Sequence, residues 1–529
     1  MRKISITLCM TFMTLLMVLI GTIFGTALAV DQTSMRLNSM TAELANILYD
    51  EYTDIHNFST SLLDVDGVRL YTEQSNILGG DRRPNAFNES TNSIGFIGDL
   101  FGFKLGVYYE QTRAQDASNS EEESVIKEAD ESVTKSLTKT NETNKENYTV
   151  SSILLAKSLS EITDLGIKLG AQLEDNSYNY SRDITTSNSQ SDDKTLDTLE
   201  HDKVDKNNIL LLGVDLRTGI GSGVLSYGLE VSPIIRQVEL LINNDPGTGL
   251  SFKTETSASF MSPALMFKAK YEVPVLLFGK SAVIRTGGNL QRLSVNYDET
   301  QTTTVVSETI LEDVQFEAYY TETTNSKENR SERETGYQFY IGSETQVNRH
   351  TVLGFGIKLN TLTREIVRTV KEQETEISQV IKNAGEVDKN NSYLETAVVT
   401  PKEIVTDAAA NLSLVIPFGL ETKLTDSFTL RLGAASTFYN KTISRTVTET
   451  GETVTERVRK YDNGDEQIME EKTGVQQAID VDETVHIRNT TELNFGFGYE
   501  INENISLDFR TAGDFTNLNN LRLSLNVKF

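Results

Sequence analysis

Apolar and polar residues alternate, one for one, through much of this chain. The last nine residues show it without a fault. Leu521, Leu523, Leu525, Val527 and Phe529 fall on one face; Arg522, Ser524, Asn526 and Lys528 fall on the other. Successive strand side chains point to opposite faces, so a period of two predicts a strand with one apolar and one wet side. The pattern recurs at 103–113, 165–173, 355–359, 412–420, 428–434, 493–501 and 505–509. It recurs less cleanly at 149–159, 208–217, 223–238, 252–272, 278–296, 306–320 and 337–346. Most of these segments reach the 9–11 residues that a tilted strand needs to cross a bilayer.

The connectors alternate in length. Short turns stand at 161–164, 348–350, 425–427 and 502–504, and long polar stretches at 113–147, 181–206, 322–335, 367–406 and 443–484. Membrane barrels have this rhythm, with short periplasmic turns and long extracellular loops. The long stretches are rich in Glu, Thr, Asn, Lys and Ser and cannot bury a core alone, so mobile, protease-accessible loops are expected there. A short helix is the alternative at 367–385. Asn463-Gly464 predicts a two-residue hairpin turn within 461–465, and Pro417 predicts a bulge in the strand 410–421.

The N-terminus reads as an export signal. Arg2 and Lys3 precede an apolar stretch over 4–24, and Ala27-Leu28-Ala29 fits a cleavage site. An uncleaved anchor is the alternative. Residues 30–92 differ again. Thr41 to Asp50 has helical spacing at Leu44, Ile47 and Leu48, with Thr41 as the cap. The expected organisation is therefore a signal peptide over 1–29, a helical and irregular segment over 30–92, and an all-β barrel over 93–529. The middle segment either plugs the barrel or extends beneath it.

A terminal amphipathic strand ending on Phe529 resembles the insertion signal of bacterial outer-membrane β-barrels, with Leu521, Leu523, Leu525, Val527 and Phe529 as the residues that carry it. That resemblance implies a transmembrane antiparallel barrel in the bacterial outer membrane, with outer-membrane lipid and the barrel-assembly machinery as partners. About fourteen strands are expected, with twelve to sixteen open. A lumen-plugging N-terminal segment resembles the long-chain fatty acid transporter family, in architecture only.

Composition narrows the function. The chain carries a net charge of −27, which leaves few cations for phosphates and argues against nucleic acid. Its one cysteine, Cys9, lies in the signal, so the exported part has no disulfide or thiol chemistry. His56, His201, His350 and His486 have no metal-site spacing. No nucleophile or phosphate-binding motif stands out, so no enzyme and no cofactor are expected. If the apolar face meets lipid, Lys104, Lys168, Gln172, Lys358, Arg431, Asp508, Arg510 and Arg522 point into the lumen. The expected function is a channel or transporter for small solutes, gated by the N-terminal segment. A structural or binding barrel without flux is the alternative. The fixed cations Lys168, Lys358, Arg431 and Arg510 predict a basic lumen and a mild anion preference.

Overall fold

The computed structural model describes residues 34–75, 88–127, 133–188, 194–245, 250–311, 316–383, 386–400, 403–449, 453–473, 479–512 and 522–529. The signal region and Leu521 lie outside them. The strands are β1 Arg69–Ser75, β2 Asn88–Leu100, β3 Phe103–Lys127, β4 Val133–Ser158, β5 Thr163–Asn188, β6 Lys194–Ile220 and β7 Gly223–Asp245. Next come β8 Leu250–Leu277, β9 Lys280–Leu311, β10 Phe316–Asn348, β11 Thr351–Asn383, β12 Glu386–Val387, β13 Tyr393–Thr400 and β14 Glu403–Lys423. The last are β15 Phe428–Glu449, β16 Thr453–Tyr461, β17 Glu466–Thr473, β18 Ile479–Asn502, β19 Ile505–Ala512 and β20 Arg522–Lys528.

Sixteen of the described strands close into one antiparallel barrel. Neighbours in sequence pair from β1 to β11; β11 then pairs with β14, β14 with β15, β15 with β18, and β18 to β20 in turn. Closure comes from β20 against β1, with Arg69 opposite Lys528 and Ser75 opposite Arg522. A closed sheet has no free edge, which satisfies every ladder position without water.

The count of fourteen needs correcting to sixteen. The segment 306–320 is not one strand: β9 ends at Leu311 and β10 begins at Phe316. Two strands also lie in or near the stretch expected to precede the barrel. β1 falls inside 30–92, and β2 starts at Asn88. Their alternation is masked because their inward faces are mixed: Tyr71 and Ile97 pack on the N-terminal segment, beside Arg69, Glu73 and Ser93.

The expected loops are wall. β10 and β11 each run for 33 residues, about three times what a bilayer crossing needs. Residues 367–383 continue β11 as strand, not helix. The lower part of each long strand, next to its short turn, presents large apolar residues outward, such as Phe96, Val107, Phe267, Phe339, Ile357 and Phe418. Above that belt the polar sequence still pairs. Threonine suits a pleated surface, and cross-strand partners join the strands: Arg330 with Glu299 at 2.7 Å, Arg236 with Asp205 at 2.6 Å, and Thr302 donating to Asn325 at 2.8 Å. Polarity on both faces signals water on both faces, not irregular chain. Pro417 causes no register shift; pairing with β11 only lapses between Val415 and Phe418. β13 leaves the barrel and bridges the top of β11 to β16, and β16 and β17 form the hairpin, whose turn has three residues, 462–464, and not two, because Gly464 at φ 98° adds a left-handed residue after Asn463.

Residues 34–64 lie inside the barrel at the short-turn end, where the apolar core sits. Leu37, Met40, Leu44, Ala45, Ile47, Leu48 and Tyr340 form one cluster. Ile55, Leu62, Val65, Tyr71, Ile97, Tyr108, Leu154 and Ala156 form the other.

Candidate functional site: the lumen and its N-terminal segment

Local signals shape the segment. The Thr41 side chain accepts from the Glu43 N–H and starts a single 3-10 turn over Ala42–Leu44, where the spacing predicted a longer helix. Asp50 caps the helix Glu51–Asn57 by accepting from the Thr53 N–H at 2.9 Å. Two short turns, not one helix, let Leu44, Ile47 and Leu48 reach the wall together.

That wall is glycine where the segment presses hardest. A Cβ at Gly342 or Gly356 would overlap Ile47, at Gly354 Leu48, at Gly419 Leu44, at Gly433 the Met40 backbone, and at Gly496 Ser39. These glycines lie on β10, β11, β14, β15 and β18 and form a seat cut to the depth of the segment.

Charge fixes the segment around this seat. Arg36 pairs with Glu421 at 2.8 Å and Lys358 with Glu43 at 3.3 Å. Lys270 meets Asp54 at 3.0 Å, with both side chains 3% exposed. Arg285 donates to the Ile47 carbonyl at 2.7 Å, and the Tyr49 N–H donates to Glu344 at 2.8 Å. The buried Asp215 carboxylate accepts the Ser59 and Thr60 N–H groups at 3.0 and 2.9 Å. Arg69 pairs with Glu51 at 3.3 Å, and Arg217 pairs with Asp64.

The residues named from sequence fall as follows. Lys168, Gln172, Lys358, Arg431 and Asp508 are buried on the inner wall. Lys168 sits 3.5 Å from Glu230 and donates to the His56 carbonyl. Arg431 bridges Glu421 at 2.7 Å and Asp508 at 2.6 Å, which joins it through Glu421 to Arg36. Lys104 meets Asp99 at 3.3 Å near the β2–β3 turn. Arg522 lies 3.9 Å from Glu73, and Arg510 stands opposite Arg522.

The basic lumen is therefore a correction. Lys168, Lys358 and Arg431 each meet a carboxylate, so the wall carries paired charge. Sequence reasoning missed Glu230, Glu344, Glu421, Asp215, Lys270 and Arg285. A signal was available: inward positions read glycine next to charge, as in Gly419-x-Glu421, Arg431-x-Gly433 and Gly356-x-Lys358.

The segment does not fill the lumen. Between it and the wall of β18, β19, β20 and β1 lies a crevice of about 580 Å³, bordered by Arg36, Glu51, Glu73, Asp508, Ser524 and Asn526 among others. Among the described residues, no group of three or more His, Cys, Asp or Glu is placed to hold a metal ion.

No protein-family model matches the chain, and no curated protein matches it. Solved structures similar to it include the ferric-catecholate import receptor Fiu of E. coli K12, at 8% identity and TM-score 0.31 over 88% of this chain and 82% of that one. A Pseudomonas aeruginosa FadL homologue aligns at 9% identity and TM-score 0.34 over 96% of this chain and 100% of that one. The ferric citrate transporter FecA aligns at 9% identity and TM-score 0.25 over 88% and 78%.

Proposed function

We propose that the chain is a bacterial outer-membrane β-barrel transporter for small solutes, gated by residues 34–64. The observation that carries this is the segment's fastening. It is held inside the lumen by ion pairs and backbone hydrogen bonds to many strands, and it continues into β1 without a covalent crosslink. Polar fastenings can exchange for water as a unit. The apolar outward belt supplies the lipid contact, since a closed barrel is the form in which a sheet can sit in hydrocarbon. Leu523, Leu525 and Val527 share one face of β20 and Phe529 is exposed at its end, available to assembly machinery. No catalytic step belongs to this reading.

Planar-bilayer conductance tests it. The full chain should conduct weakly, and deletion of residues 34–64, which keeps β1, should raise conductance severalfold. Silence in both would sink the transport reading. It would favour a surface-exposed structural or binding barrel, a second reading supported by the tall polar wall and the sheet formed by β11, β13, β16 and β17.

A further inference from the structure

The crevice beside the segment has an ordered lining. Asp508 on β19 stands opposite Ser524 on β20, Ser524 opposite Glu73 on β1, Glu73 opposite Ser93 on β2, and Ser93 opposite Glu110 on β3. All five residues fall on inward positions; the first four border the crevice, and Glu110 lies beyond it on the next strand. Strands lie about 4.8 Å apart, so carboxylates recur about every 10 Å around this arc, with a small hydroxyl between each pair. The spacers leave the room; the acids set the charge.

The rest of the crevice has the same sign. Eight carboxylates and three cations border it. Arg36 and Arg69 on the border are paired, with Glu421 and Glu51, and three further wall cations stand outside it: Arg431 behind Asp508 and Glu421, Arg285 behind Glu344, and Arg522 one inward position above Glu73. A solute in the crevice therefore meets oxygen first. In a narrow space with low-dielectric walls, the nearest charges dominate the field and concentrate the opposite ion.

We propose that this crevice is the passage through the barrel while the segment is seated, and that it carries small cations. This rests on the transport reading above. It reverses the anion preference expected from the wall cations alone, because those cations face acids and not the passage.

Ser524 gives the test, since it lies between Asp508 and Glu73. Cys9 is the chain's one native cysteine, so Ser524→Cys on a Cys9→Ser background offers a unique thiol. The probes are a trimethylammonium and a sulfonate methanethiosulfonate of similar size. Each rate is scaled to its rate on Ser222→Cys, at an exposed turn. The scaled cationic rate should exceed the anionic by about tenfold, and modification should reduce the current of the full chain. Its reversal potential should favour cations. Faster anionic modification, an unreactive thiol, or modification without loss of current would overturn the passage. If the full chain is silent while the 34–64 deletion conducts, the gate stands and the passage falls. If neither conducts, both fall.

Discussion

Two sectors of the same wall treat the N-terminal segment in opposite ways. From β10 to β18 the wall withdraws its side chains: six glycines admit Ser39, Met40, Leu44, Ile47 and Leu48 against the backbone. From β19 through β20 to Glu73 of β1 the wall keeps serine, asparagine and carboxylate and borders a crevice of about 580 Å³ beside the segment, which touches β1 only lower down, at Arg69 and Tyr71. The first sector makes van der Waals contact, and its energy depends on shape. The second is wet, and its energy depends on charge. One segment can thus be held firmly and still leave a path, because holding and passing are assigned to different strands.

The contrast can be broken most forcefully at the buried pair beyond the seat. Lys270→Met should leave Asp54 uncompensated and weaken docking of the segment by about 3–5 kcal/mol, read as faster amide exchange across Glu51–Asn57. Adding Asp54→Asn should recover much of it. Unchanged exchange in the single variant would mean the pair holds nothing. Within the seat, Leu48→Ala should cost about 2–4 kcal/mol, read at the Ile47 and Leu48 amides; a loss under about 0.5 kcal/mol would show the glycine contacts to be loose.

Arg36 belongs to both sectors, since it pairs with Glu421 and borders the crevice. It is partly exposed, so Arg36→Gln should cost about 1 kcal/mol of docking while shifting the reversal potential further toward cations. A shift toward anions would contradict the acid-first lining. The smallest effect belongs to the crevice wall. Ser506→Ala should leave segment exchange within about 0.5 kcal/mol of the parent. Loosening comparable to that of Leu48→Ala would mean the two sectors are packed alike.

The barrel was legible in the sequence because lipid on one side and water on the other write a period of two. It became illegible where that asymmetry fails. β1 and β2 mix apolar and polar residues on one inward face, Tyr71 and Ile97 beside Arg69, Glu73 and Ser93, and the upper strands are polar on both faces, so one region passed for irregular chain and the other for loops. In the lumen, Lys168, Lys358, Arg431 and Asp508 were readable by alternation. Glycine spacing marks Glu421 as inward, but which acid each cation meets was not readable, because 76 acidic residues offer too many choices and pairing depends on register across strands distant in sequence. Leu44, Ile47 and Leu48 were readable as an apolar set, but the glycines that receive them come from five different strands.

The height of the wall sets a further condition on anything that crosses. Strands of 33 residues extend about 110 Å along their own length, or about 80 Å in height at a tilt near 40°, against an apolar band about 25 Å tall. The upper part of the wall at these strands therefore stands clear of the bilayer, while the described parts of β19, β20 and β1 span only seven or eight residues. Treated as an electrical circuit, the lumen is a long, wide conductor in series with a short, narrow one. Resistance scales with length over cross-section, so the crevice sets the current while the tube sets the delay. A molecule too large for the crevice can still reach the tall wall above the segment and wait there for the segment to move.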